Sequence, residues 1–494
     1  MLFNSVGFIF FFLPIALCIY FFLNRWKLAI ASKAWLVAVS LFFYGWWNPK
    51  YLFLLLASIL LNYAVGSSIH KTKGLKKKSL LAFGLSANIA TLGYFKYADF
   101  FIVNVNSIFS AELGLLNVIL PLGISFFTFT QIAYLVDSYK SKANEYDLLN
   151  YCLFVTFFPH LLAGPILHHH QIMPQFMSVR TKALSWRNVS AGVFIFCAGL
   201  FKKIAIADSF AVWANAGFES MHALSFFEAW GASLSYTFQL YYDFSGYTDM
   251  AIGASLLFNI HLPINFNSPY KAKNIREFWQ RWHITLSNWL RDYVYIPLGG
   301  NRAGKYRTYF NILITFLLGG LWHGAGWTFV AWGALHGVAL VIHRFWDRQG
   351  LKMPALTGWF CTFMFVNAAW VFFRATTFKG AIRILEGMAG INGIKTPAGF
   401  ADIGNYLANW SFLASDSAKV APMMPVDTLA YIITFGFVAF LLPNAVQIIR
   451  FIPYKGAMIF KPRLIYALLV GLILFYALVS NIQNAPSQFL YFNF

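Results

Sequence analysis

The sequence predicts an all-α polytopic integral membrane protein. Composition is the first reason: hydrophobic residues make up 59% of the 494-residue chain and charged residues only 11%, whereas soluble domains carry roughly 25% charged residues. Aromatics reach 20%, with 55 Phe, 25 Tyr and 17 Trp. A soluble protein could not hide so much apolar surface, because its own surface grows with its core. The second reason is that apolar runs of about 17–25 residues, enough to cross a bilayer, recur along the whole chain. Third, basic residues gather in particular connections between those runs, as they do in inner-membrane proteins.

Residues 1–5 lead into the first run with no basic segment or small-residue cleavage site, so a retained span is expected rather than a removable signal. Apolar runs follow at 6–24, 28–47, 51–69, 79–98, 115–136, 148–167, 189–207, 225–242, 308–322 continuing to 343, 357–373, 428–449 and 463–481. Pro121, Pro159 and the glycines of 319–326 mark expected breaks, which membrane helices tolerate only where the freed backbone is buried in protein or lines a cavity. Arg25, Lys27 and Lys33 flank the first connection, and Lys71, Lys73, Lys76, Lys77 and Lys78 fill the third. Both are therefore expected in the cytoplasm, with the N-terminus outside. Residues 271–307 carry eight basic residues (Lys271, Lys273, Arg276, Arg281, Arg291, Arg302, Lys305, Arg307) against Glu277 and Asp292, and are also expected in the cytoplasm. The segment 375–427 balances four basic residues against four acidic ones and is expected outside, where it could meet a partner.

The formal net charge of +20 would suggest nucleic acid in a soluble protein. Here loop topology explains it better, so no nucleic-acid partner is expected; membrane lipids are the expected surroundings. A basic cytoplasmic surface also suits an anionic substrate such as a nucleotide or coenzyme A. Cys18, Cys152, Cys197 and Cys361 show no paired spacing, which indicates neither a disulfide framework nor a zinc site.

Two stretches concentrate chemistry. In 276–293, Trp279, Trp282, Leu286, Trp289, Leu290 and Tyr293 follow helical spacing on one side, while Arg281, Thr285, Asn288 and Asp292 take the other. This predicts one amphipathic helix at the membrane interface, with His283 on its aromatic face or edge. His283 reads equally as a hydrogen-bonded interfacial histidine and as a functional one. The second stretch is Gly319-Gly320-Leu321-Trp322-His323-Gly324-Ala325-Gly326, where an ionisable residue lies deep in an apolar run. His336 follows thirteen residues later, and only a helix broken at Gly324 or Gly326 would bring it to the same face. A buried imidazole suits proton abstraction from a hydroxyl without a metal or covalent intermediate. His168-His169-His170 is a weak metal candidate, because three consecutive histidines on regular structure cannot all face one ion; no metal is expected. GxSxG, GxxxxGK[ST], HExxH and GxGxxG patterns are absent from the sequence.

Several motifs together resemble the membrane-bound O-acyltransferase (MBOAT) superfamily, in its bacterial polysaccharide (alginate-type) O-acetylation branch. They are Phe278-Trp279-Gln280-Arg281-Trp282-His283, Trp289-Leu290-Arg291-Asp292-Tyr293, Gly299-Gly300-Asn301-Arg302 and Gly320-Leu321-Trp322-His323-Gly324. Pro121 to Phe126, Phe158 to Leu161 with Ala163-Gly164-Pro165, Tyr242 to Gly253 and the C-terminal Phe489 to Phe494 add to them. The chain departs from the alginate-type pattern at His168-His169-His170, where an arginine-bearing stretch is the norm.

The resemblance implies a single domain over 1–494, with core motifs in 121–343. It implies an MBOAT-like bundle of about 11–13 membrane helices around a tunnel, with re-entrant or broken segments. It also implies an acyltransferase in which His323 is the signature histidine and general base, and His283 the second catalytic position. His336, Asp243 and Asp249 are supporting candidates, and Arg276, Arg281, Arg291 and Arg302 are candidates for binding the phosphates of coenzyme A. No bound cofactor is implied. Acetyl-CoA is the expected donor, and a cell-surface polysaccharide the expected acceptor, reached directly or through a periplasmic acetyltransferase or esterase-like protein. The expected location is the bacterial inner membrane. D-alanyl or lipid acyl transfer by the same superfamily, and a non-catalytic transporter or scaffold, are the rival readings.

Overall fold

The computed structural model describes residues 1–143, 147–302, 304–394, 426–449, 451–452, 457–458, 463–483 and 487–493. Its regular structure is helical, apart from a two-residue antiparallel pairing of Phe451–Ile452 with Ala457–Met458 among the described residues. A π-turn, Gly7–Phe12, runs into α1 (Leu13–Arg25), followed by α2 (Ala29–Gly45), α3 (Lys50–Lys71), α4 (Gly74–Leu92) and α5 (Ala98–Phe109). Next come α6 (Ile124–Tyr139), α7 (Leu148–Thr156), α8 (Phe158–Leu161) and α9 (His169–Met177). The centre is built from α10 (Trp186–Phe201), α11 (Asp208–Glu219) and α12 (Phe226–Leu257).

The motif-bearing elements are α13 (Ile275–Arg281), α14 (Ile284–Leu290), α15 (Lys305–His323) and α16 (Trp327–Arg348). The chain continues through α17 (Ala355–Arg374), α18 (Phe378–Met388), α19 (Val426–Leu441), α20 (Ala445–Ile448) and α21 (Leu464–Gln483).

Five helical stretches among the described residues are long and apolar enough to cross a membrane: Gly7–Arg25, Lys50–Lys71, Trp186–Glu219, Trp327–Arg348 and Ala355–Arg374. Ala29–Gly45, Asp427–Leu441 and Leu464–Ser480 are apolar but shorter. Two of the other expected spans are divided where the sequence carries breakers. The run 115–136 is cut at Gly123, which adopts φ 71 ahead of α6. The run 148–167 is cut between α7 and α8, where Phe157 leaves helical geometry before Pro159. The run 225–242 proves to be part of the much longer α12, opened by a Ser225–Glu228 capping box.

Helix α12 is the hub, and nearly every residue from Ala229 to Leu257 is buried. Lipid gives helices no hydrophobic reason to associate, so close packing of small residues must do it. At the crossing with α10, a Cβ placed on Gly199 would lie 2.5 Å from the Gly246 carbonyl oxygen, and one on Gly192 2.8 Å from that of Gly253. The outer surface carries exposed Phe11, Phe22, Phe53, Phe101 and Phe475, the side chains a lipid-facing wall requires.

Contacts between helix ends sort the molecule into two faces. On one face Lys77 lies over the Tyr139 ring, Lys140 over Tyr293, and the Trp359 indole donates to the Tyr270 carbonyl. That face therefore joins 70–78, the end of α6, and 270–293. On the other, Tyr51 donates to the Ile119 carbonyl, Lys96 reaches the end of α15, and Phe373 packs on His323. The segment 375–394, including α18, follows directly from Phe373 and Arg374 and so belongs to this second face. The rest of the expected external segment, 395–425, lies outside the described residues.

Candidate active site

Helix α15 ends at His323 because Gly324 and Gly326 continue in extended geometry, at φ −163 and −164, before α16 begins. The last carbonyls of a helix have no partner within it. Here side chains supply them: Lys96 Nζ donates to the carbonyls of Trp322 (2.6 Å) and His323 (3.1 Å), and the Tyr97 hydroxyl donates to that of Leu321 (2.6 Å). Trp322, Trp332 and Phe373 each lie 5.0 Å from the His323 ring and Tyr491 lies at 5.7 Å, all close to edge-on. His323 is 4% exposed, and its Nδ1 has no hydrogen-bond partner among the described residues.

The expected single helix over 276–293 is not formed. It is interrupted at His283, which sits at φ 40, ψ 54 between α13 and α14. Left-handed geometry is unfavourable for a residue with a Cβ and persists only where surroundings impose it. Asn265 imposes it: its backbone oxygen accepts from the Ile284 N–H (3.0 Å), and its side-chain oxygen from the Thr285 N–H (3.2 Å) and hydroxyl (2.6 Å). The segment is not an interfacial surface helix either, since Phe278, Trp279, Trp282, Leu286 and Trp289 are all buried. His283 is fully buried, 4.8 Å from Phe244, 6.2 Å from Trp322 and 6.5 Å from Tyr491, and neither ring nitrogen has a partner among the described residues. Trp322 and Tyr491 thus form a shared wall between the two histidines.

His336 is brought close by the break at Gly324–Gly326, as the spacing required. The Trp332 ring stands between it (4.8 Å) and His323 (5.0 Å), and its Nδ1 accepts from the Trp279 indole at 3.3 Å. It ties α13 to α16. Asp243 and Asp249 act at one remove: Lys203 pairs with Asp243 at 2.7 Å and Asp208 at 2.8 Å, and Lys202 with Asp249 at 2.6 Å. Asp243 also accepts from the Leu490 N–H (2.9 Å), and Lys203 donates to the Gln488 carbonyl (2.9 Å). This buried network holds the C-terminal segment so that Tyr491 reaches both histidines.

The four arginines differ. Arg281 binds Glu277 through Nε (3.0 Å) and Nη2 (2.7 Å) and donates to the Asn267 carbonyl, while Arg291 is paired with Asp292 at 2.7 Å. Arg276 and Arg302 are exposed on the same face, with no ion pair among the described residues. On the opposite face a cavity of about 300 Å³ is lined by Lys96, Asp99, Leu120, Gly324, Ala325 and Phe329 among others, beside His323.

Lys96, Tyr491 and the Lys202–Lys203 pair were not anticipated as site residues. Lys96 had a visible signal, a cation within the apolar run 79–98.

Two buried histidines share an aromatic wall, in motifs joined by an unbroken order of membrane elements, and comparison with known proteins gives them a context. The model of the membrane-bound O-acyltransferase family, MBOAT, matches residues 9–378. The chain belongs to this family. It is 51% identical over 425 residues to the peptidoglycan O-acetyltransferase of Helicobacter pylori, covering 80% of this chain and 81% of that protein. It is 41% identical over 400 residues to the probable alginate O-acetylase AlgI of Pseudomonas putida, covering 78% and 80%. A more distant relative is the teichoic acid D-alanyltransferase of Streptococcus thermophilus, 30% identical over 259 residues, covering 50% and 62%. The chain is an acyltransferase of the membrane.

Proposed function

We propose that the chain moves acetyl groups from acetyl-CoA to a hydroxyl of an exported glycan, in the inner membrane of a bacterium. The observation that carries this reading is the pair of buried, unpartnered imidazoles meeting at Trp322 and Tyr491 between a basic face and an opposite cavity. Acetyl-CoA approaches the face of 271–307, where Arg276 and Arg302 are free to meet its phosphates. His323 accepts the proton of the attacking hydroxyl as its oxygen bonds to the thioester carbonyl carbon, and coenzyme A leaves as the thiol. His283 donates to the carbonyl oxygen as negative charge develops there. His336, Asp243 and Asp249 position this machinery.

The basic clusters of 25–33 and 70–78 favour a cytoplasmic placement for the face they share with 271–307, and an external N-terminus. The acceptor then arrives at the cavity beside Ala325, directly or through a periplasmic acetyltransferase docked on the face that carries α18. Greater identity at similar coverage favours peptidoglycan over alginate-type polymers as the acceptor.

The test is acetate released by mild base from purified sacculi and from exopolysaccharide. Strains are compared in which the gene is deleted, or restored as wild type or as His323→Ala. Loss from sacculi in the deletion and in His323→Ala supports the proposal. Loss from exopolysaccharide alone moves the acceptor, and no loss from either defeats acetyl transfer.

A further inference from the structure

The three consecutive histidines do not diverge as regular structure would require. His168 is extended, at φ −100 and ψ 138, and α9 begins only at the next residue. His169 turns into the core against Tyr134 and Phe154. His168 and His170 stay together with their rings 5.6 Å apart, and each directs Nδ1 at the same Asp137 oxygen, at 3.5 and 3.9 Å. Asp137 is 4% exposed near the end of α6, whereas the His170 side chain is half exposed. One ligand atom from each of the three lies within 4.8 Å of the others.

We propose that Asp137, His168 and His170 bind a divalent transition-metal ion of the zinc, cobalt or nickel type. Two imidazole nitrogens and one carboxylate oxygen suit such ions, whereas calcium and magnesium prefer sets of oxygens. Bonds of roughly 2.0–2.2 Å require the ligand atoms to close by about 1 Å, and the exposed His170 can supply most of that movement. The Tyr293 hydroxyl, 3.0 Å from His168 Nδ1, must release that nitrogen; the Asp137 carboxylate is within its reach as an alternative acceptor. A fourth position is left for water or the phenol oxygen. The buried carboxylate gains a compensating charge, and the set is hidden in the sequence because one ligand comes from a helix about thirty residues earlier.

The site is a brace and not part of the transfer chemistry. Ser125, which Lys96 approaches, and Asp137 are twelve residues apart on α6, about 18 Å at 1.5 Å per residue. The ion would join α6 to the segment before α9, whose Ile166 N–H donates to Thr285 Oγ1 at 3.0 Å, two residues from His283.

The experiment uses full-length protein purified in detergent without a polyhistidine tag, stripped with chelator and titrated with Co²⁺ and Zn²⁺. We expect one Co²⁺ per chain with the visible absorption of a low-coordinate site, and one Zn²⁺ retained through gel filtration. His170→Ala, at an exposed position that leaves packing intact, should weaken binding at least about tenfold, as should Asp137→Asn. His222→Ala, at another exposed histidine, should change nothing. Equal binding by wild type and His170→Ala, or no binding by wild type, would overturn the proposal.

Discussion

Lys96→Met removes the cation that closes the end of α15. Two charge-assisted hydrogen bonds are lost, to the carbonyls of Trp322 and His323. At about 1.5–3 kcal/mol each, the gross loss is about 3–6 kcal/mol. Both carbonyls lie beside the cavity Lys96 lines, so water can replace part of the interaction, leaving about 2–3 kcal/mol. If that loss falls on the placement of His323 in the transition state, kcat drops about 30- to 150-fold. Lys96 lies on the face opposite 271–307, so the KM for the acyl donor should hold. The assay is the initial rate of acyl transfer by purified protein in liposomes, measured across donor concentrations, with thermal unfolding as a check on folding. A folded variant running at the wild-type kcat would show that the lysine does not position the histidine, and the argument from helix closure would fall.

The double change Arg276→Gln with Arg302→Gln should raise the KM for acetyl-CoA about three- to tenfold, by an amount that shrinks as salt is added; donor titrations at two ionic strengths read this. Arg281→Gln should instead lower thermal stability, because that guanidinium already binds Glu277 and the Asn267 carbonyl. Gly199→Val should destabilise the α10–α12 crossing by about 1–3 kcal/mol or more, visible as early unfolding in detergent, since its Cβ would press on the backbone of Gly246 and Met250. In a cysteine-free background, an impermeant thiol reagent should label Ala325→Cys in intact cells, and Lys73→Cys only after permeabilisation. The reverse pattern would invert the proposed orientation.

Membrane class and the grouping of motifs were legible because they rest on composition and on runs of residues. Proline and glycine breaks were legible too: the chain is non-helical at Pro121, leaves helical geometry just before Pro159 and breaks again at Gly324–Gly326, at or beside the expected residues. What periodicity could not see was tertiary. The spacing of 276–293 fits one amphipathic helix, but Asn265 captures Thr285 and turns the chain at His283, inverting an expected surface helix into buried structure. Lys202 and Lys203 fall inside the apolar run 189–207 with no spacing that names their partners; on a π-helical turn they pair with the buried Asp249 and Asp243. Asp137 gave no sign of the histidines it meets, since their proximity depends on how the segment before α9 folds back over α6.

In the proposed reaction His323 takes the proton of the acceptor hydroxyl. The most direct test of this step is the rate of acetyl transfer from acetyl-CoA, followed as coenzyme A thiol release, by wild type and His323→Ala reconstituted side by side, with unfolding temperature measured on the same samples. The variant should unfold within a few degrees of wild type and transfer acetyl at least about 100-fold more slowly, the scale of general-base catalysis. A folded His323→Ala protein with wild-type turnover would contradict that role.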